Sequence, residues 1–185
     1  MKSETLEIAD VIRIEPPRLG DSRGWFSEVF NADRVAAAGI DGPFIQDNQS
    51  FSAAEGTLRG LHCQIGANVQ GKLVRVLRGA IWDVAVDIRH GSPTFGRHVA
   101  AALSAANGAQ LWIPRGFLHG FVTLEPDTEV LYKVTAPYDR AAERGVIWDD
   151  PELALPWPLD ADAVALSDKD ARLPRLAECE EWFRA

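Results

Sequence analysis

Ala80-Ile81-Trp82-Asp83-Val84-Ala85-Val86-Asp87-Ile88-Arg89 alternates in parity: Trp82, Val84, Val86 and Ile88 fall on one side, Asp83, Ala85 and Asp87 on the other. That period of two is the pattern of a strand with one apolar face. Working outward, shorter runs of the same kind lie at Lys72–Leu77, Gln110–Ile113, Gly120–Leu124 and Glu129–Val134. Turn chemistry separates them, in Arg78-Gly79, His90-Gly91-Ser92-Pro93, Asn107-Gly108 and Glu125-Pro126-Asp127. Regular strand spacing with few helices predicts an all-β chain, an antiparallel sandwich or barrel rather than a βαβ fold. No Gly-rich loop follows a strand and opens a helix, so the dinucleotide-fold and P-loop readings fail. Two short helices are expected towards the ends. Asn31 would cap Ala32–Ala38 with Gly39 as the stop, and Pro174–Phe183 opens on a proline suited to a first turn.

A length of 185 residues fits one domain over 1–185, and suffices for a core without disulfide staples. The 19 basic and 27 acidic residues give a formal charge of −8, which argues against a nucleic-acid or membrane surface. A local arginine cluster can still hold a small anion. Cys63 and Cys179 form neither a disulfide framework nor a zinc spacing, and fit a reducing compartment. The first residues, Met1-Lys2-Ser3-Glu4, are charged where a secretory signal needs an apolar run, and nothing reaches the ~18 apolar residues of a membrane span. The expected location is the cytoplasm.

The strongest local pattern is Gly108-Ala109-Gln110-Leu111-Trp112-Ile113-Pro114-Arg115-Gly116-Phe117-Leu118-His119. A glycine, five residues and then Pro-x-Gly-x-x-His resembles the second motif of the cupins. The first cupin motif is matched in part: Gly56 stands six before His62, but Gln64 replaces the second histidine, and Asn68 and Val69 fall where the glutamate belongs. A metal site needs three or four such ligands, so no metal is expected and the chemistry left is acid–base.

Around these landmarks stand Asp21-Ser22-Arg23-Gly24-Trp25-Phe26-Ser27-Glu28, Gln46-Asp47-Asn48-Gln49-Ser50, Leu58-Arg59-Gly60-Leu61-His62 and Gly71-Lys72-Leu73-Val74. Further on come Ser92-Pro93-Thr94-Phe95-Gly96, Leu131-Tyr132-Lys133 and Leu166-Ser167-Asp168-Lys169-Asp170. In this order, from Glu15 to Asp170, the set resembles the dTDP-4-dehydrorhamnose 3,5-epimerases, metal-free cupins. The resemblance implies a jelly-roll β-sandwich or barrel with a few short helices near the termini, no cofactor, and a homodimer that shares its nucleotide site. The implied substrate is dTDP-4-dehydro-6-deoxy-D-glucose, inverted at C3 and C5. Both carbons flank the C4 ketone, so each proton can leave through an enolate.

Carried over by position, His62 is the general base, Asp170 its carboxylate partner, Tyr132 the acid on the opposite face and Lys72 the cation at the C4 oxygen. Arg23, Glu28, Gln46, Asn48, Arg59, Lys72, His119, Glu143 and Lys169 are the implied binding residues, with Arg23 and Arg59 facing the diphosphate. Arg59 and His62 are three apart, so strict alternation sends them to opposite faces; a bulge at Gly60 is therefore expected.

Other readings stay open at several of these residues. Asp170 could belong to a capping box begun at Ser167. Tyr132 shares parity with Val130 and Val134 as an ordinary half-buried tyrosine would, and Tyr138 is a second candidate acid. Lys72 could be an exposed strand end and Glu143 a loop charge. His90 and His98 match no site position, while Trp148 and Trp157 suggest packing. A C3-only or C5-only epimerase and a non-catalytic sugar-binding cupin are the competing functions.

Overall fold

A computed structural model describes residues 1–40 and 42–185. The first strands are β1 (Lys2–Thr5), β2 (Ile12–Glu15), β3 (Leu19–Asp21) and β4 (Gly24–Phe26). Helix α1 (Ala32–Ala37) precedes β5 (Gln46–Ser52), β6 (Leu58–Gln64), β7 (Lys72–Arg78), β8 (Ala80–Asp87) and β9 (Arg89–His90). Then come β10 (His98–Ser104), β11 (Gln110–Ile113), β12 (Phe117–Thr123), β13 (Thr128–Val134), β14 (Glu143–Gly145) and β15 (Phe183–Arg184).

Two antiparallel sheets face each other, one ordered β1-β2-β11-β7-β13-β5 and the other β10-β8-β12-β6-β14. This is the expected jelly-roll sandwich. Between the sheets pack Val74, Val76, Leu111, Ile113 and Val130 from the first, and Ile81, Ala85, Leu103, Phe117 and Phe121 from the second. Fully burying one such side chain contributes roughly 1.5–3 kcal/mol. Among the described residues no helix is long and apolar enough to cross a membrane.

Helix α1 forms where the capping pattern puts it. Asn31 accepts a hydrogen bond from the Arg34 N–H at 3.2 Å, and Gly39 leaves the helix at φ +84°. Its buried Val35 packs with Ile12, Ile14, Leu73 and Trp112 on the outer face of the six-stranded sheet.

The second expected helix is a correction. Pro174–Phe183 holds only a 3₁₀ turn at Leu176–Glu178, and then runs out to β15, which pairs in parallel with β9. A ten-residue helix is marginal on its own. The extended path instead lays Leu176, Cys179, Trp182 and Phe183 against Leu61, Val84, Val86 and Leu118 on the outer face of the five-stranded sheet. The opening proline suits a first helical turn, but the apolar residues after it find a sheet face to cover instead.

That covering layer also changes the meaning of β8. The apolar parity, Val84 and Val86, lies beneath the C-terminal segment. The other parity, with Ile81 and Ala85, faces between the sheets and carries Asp83 and Asp87 inward. Both faces are buried, and the face that reads as polar lines the interior.

Asp87 is fully satisfied there. Its Oδ1 accepts from the Arg89 backbone N–H and Nε at 2.9 Å each, and its Oδ2 from Arg89 Nη2 at 2.7 Å and the Ser92 and Thr94 hydroxyls at 2.6 Å each. Burial opposes the charge most strongly, yet these donors outweigh it and hold the carboxyl down at about 2. A carboxyl with a lowered folded pKa stabilises the fold above its unfolded value of 3.8, and that contribution is lost as pH falls towards 2. Asp87→Asn is expected to cost about 2–4 kcal/mol at neutral pH and to flatten the acid limb of denaturant melts below pH 4.

Candidate active site

The register of β6 against β12 slips at one point. His62 pairs with His119 and Arg59 with Phe121, so two residues on β6 oppose one on β12. Gly60 is the extra residue, at φ +124°, where an added Cβ would lie 2.7 Å from Gly120 Cα and 2.8 Å from the His119 carbonyl oxygen. The bulge turns Arg59 and His62 to the same side, and both line one cavity of about 460 Å³ between the sheets. The expected irregularity is present, and glycine is the residue that permits it.

His62 Nε2 lies 2.8 Å from Asp170 Oδ1. Asp170 is buried in a 3₁₀ turn, where its N–H donates to Ser167 Oγ at 3.1 Å and its Oδ2 accepts from the Gly60 N–H at 3.4 Å. Half of a capping box forms, through the Ser167 hydroxyl, while the carboxylate that would close it turns to His62 and the Gly60 N–H. Burial pushes the Asp170 carboxyl up, but the bond to His62, the His62 charge and the Gly60 N–H together bring it below the ordinary range. An ionised Asp170 fixes the imidazole through Nε2 and leaves Nδ1 as the nitrogen with a lone pair to offer.

The facing wall comes from the six-stranded sheet. Tyr132 on β13 pairs with Asn48 and Val74 and lines the same cavity half-buried, while Val130 and Val134 of its parity are buried in the core. Burial pushes its phenol above the ordinary value, so the hydroxyl keeps its proton. Lys72 opens β7 with Nζ 3.4 Å from the His62 carbonyl oxygen. Burial lowers its pKa, against the carboxylate charges of Asp83 and Glu143.

His119 completes the inner end, its Nε2 at 2.7 Å from Asp83 Oδ1. Arg59 donates Nη2 to the Phe51 carbonyl at 3.1 Å and to Ser52 Oγ at 3.3 Å. Lys169 meets Glu143 Oε1 at 2.8 Å, and the exposed Tyr138 hydroxyl donates to Glu143 Oε2 at 3.3 Å. Asn48 borders an adjoining recess with Tyr132 and Tyr138, and accepts from Gln46 Nε2 at 2.8 Å.

Three expected binding residues stand apart, of which Gln46 lines neither the cavity nor that recess and accepts from the Tyr138 N–H at 3.2 Å. Arg23, at the β3–β4 turn, is 88 % exposed and paired with Asp21, and Glu28 reaches Arg34 at 3.1 Å. Neither lines the cavity of its own chain. Conversely, Ser50, Ser52 and Asp83 escaped the sequence reading. A signal existed, since Gln46, Asn48, Ser50 and Ser52 share one parity of β5.

Gln64, at the lost ligand position, donates to the Asn68 and Pro137 carbonyls at 2.7 and 3.0 Å and accepts from the Asp139 N–H at 2.7 Å. Among the described residues no three His, Cys, Asp or Glu side chains are grouped to hold a metal ion.

Residues 5–178 match the sequence profile of the family described as dTDP-4-dehydrorhamnose 3,5-epimerase. The chain belongs to this family. It is similar to the dTDP-4-dehydrorhamnose 3,5-epimerase of Sinorhizobium fredii, 52 % identical over 184 residues, covering 100 % of this chain and 94 % of the relative. Among solved structures it resembles the dTDP-6-deoxy-D-glucose-3,5-epimerase of Legionella pneumophila in complex with dTDP-4-keto-L-rhamnose. That match has a TM-score of 0.94 at 44 % identity and covers 100 % and 98 % of the two chains. ChmJ, a 3'-monoepimerase from Streptomyces bikiniensis in complex with dTDP-quinovose, has a TM-score of 0.85 at 35 % identity, covering 93 % and 86 %. Membership of the epimerase family and the 3'-monoepimerase's likeness in fold together narrow the question to how many carbons are inverted.

Proposed function

We propose that this chain inverts C3 and C5 of dTDP-4-dehydro-6-deoxy-D-glucose to give dTDP-4-dehydro-L-rhamnose. The observation that carries this reading is the opposition of His62, on one sheet and paired with Asp170, to Tyr132 on the other, across a single cavity. His62 takes the proton from a carbon next to the C4 ketone, and Asp170 stabilises the imidazolium that forms. Such a base is worth ~10²–10⁴ in rate. The Lys72 ammonium meets the charge that develops on the C4 oxygen. Tyr132 returns a proton from the opposite face, and the centre inverts.

Arg59, held by Ser52 and the Phe51 carbonyl, points its guanidinium chemistry at the diphosphate. Arg23 and Glu28 serve the partner's site in a cytoplasmic homodimer. Supporting this, the β3–β4 hairpin that bears Arg23 exposes Leu19, Trp25 and Phe26 at 66 %, 58 % and 69 %, an apolar patch suited to a second copy.

The test is incubation with the 4-keto-6-deoxy nucleotide sugar in heavy water, read by NMR. Deuterium at both C3 and C5 is expected. Label at one carbon alone favours a monoepimerase, and binding without label favours a sugar-binding cupin.

A further inference from the structure

Asp83 is a buried charge that the proposed chemistry leaves unused. It sits mid-strand in the five-stranded sheet, paired with Phe121 and Ala101, with no exposed surface. Its Oδ1 holds His119 Nε2 at 2.7 Å, while its Oδ2 is buried without a hydrogen-bond partner among the described residues. Asp87, two pleat repeats further along the same face, has both oxygens filled. A carboxylate taken out of water with half its capacity open is costly to the fold. Ile81 and Ala85, its neighbours on the same inward face of β8, show that apolar side chains fill this face without difficulty.

We propose that Asp83 is a positioning residue of the epimerase site, fixing the His119 imidazole through Nε2 and supplying the counter-charge that keeps Lys72 cationic at the C4 oxygen. This rests on the reading of the site given above. Lys72 lines the cavity with His62, His119 and Tyr132, and among the described residues its Nζ makes only the long contact to the His62 carbonyl. Its charged or titratable surroundings include Cys63 on β6, Asp83 on β8, His119 on β12, Glu143 on β14 and Lys169.

These neighbours are not equivalent. The Cys63 thiol is pushed up to about 12 by burial and stays neutral. Glu143 is already tied to Lys169 and Tyr138. Asp83 is the carboxylate with a lone pair still open, and its charge opposes the effect of burial on both Lys72 and His119.

Asp83→Asn tests this, because it is nearly isosteric, neutral, and still able to accept from Nε2–H. Lys72 works protonated, so activity is lost as pH rises through its pKa. Lowering that pKa moves the alkaline limb of kcat to lower pH. The expected result is a ~10–100-fold fall in kcat with KM changed less than about threefold, and an alkaline limb about one pH unit lower. NMR titration of the Lys72 ammonium without substrate should fall by a similar amount, and Asp83→Ser gives the same titration should the asparagine pack badly. An unmoved limb together with an unmoved Lys72 titration overturns the proposal, even where kcat or the melting temperature drops. Failure of the epimerase reading shows separately, as a wild-type protein that exchanges no substrate hydrogen.

Discussion

His62→Ala is expected to lower kcat by roughly 10³-fold or more and to abolish deuterium entry at C3 and C5. Affinity for dTDP should change little, since the diphosphate contacts are assigned to Arg59 and Arg23. The physical reason is specific to the pair. His62 is the donor on Asp170 Oδ1, and without it the buried carboxylate keeps only the Gly60 N–H at 3.4 Å and its backbone turn. Burial then dominates, and the Asp170 pKa rises. Loss of a partner to a buried charged group costs about 1–3 kcal/mol, so the alanine variant is also expected to melt earlier. His62→Gln, whose Nε2 takes the place of the imidazole Nε2, separates the two effects. Its amide can still donate to Asp170 and restore most of the stability, but it cannot take a proton, so it should be as inactive as the alanine. Turnover within tenfold of wild type in either variant removes His62 from the role of base.

The sequence carried most of this fold because alternation and turn chemistry are local. The β8 register, the Asn31 cap and the slip at Gly60 can be argued from neighbours a few residues apart. What escaped depends on chain far away. Pro174–Phe183 opens on a proline suited to a helix, but becomes a strap because an uncovered sheet face awaits it. For the same reason the inward face of β8 is the one bearing Asp83 and Asp87, the opposite of what its composition suggests.

The site divides in the same way. Arg59, His62, Lys72, His119, Tyr132, Glu143, Lys169 and Asp170 meet in one cavity although Asp170 lies 108 residues from His62. Only family resemblance could pair those two, since no local pattern spans that separation. Arg23 and Glu28 were carried over as binding residues by resemblance alone, which gives no sign that they turn away from their own cavity. Asp83 was hidden by its setting in an apolar run, where a single acidic residue reads as a surface position.

Tyr132→Phe is the second large effect. The variant keeps the ring that packs beside the core cluster and removes only the hydroxyl whose proton burial retains. Stability should therefore change little, and product formation should fall by ~10²–10⁴-fold. Proton removal belongs to His62 on the other sheet and should continue, with solvent deuterium returned from the face it left.

The ratio of exchange to inversion in Tyr132→Phe, followed carbon by carbon by NMR in heavy water, is the measurement closest to the central claim. A base and an acid on opposing walls predict label entering the recovered substrate with its configuration unchanged, while inverted product all but disappears. Exchange and inversion falling together, or inversion persisting at the wild-type rate, would contradict it.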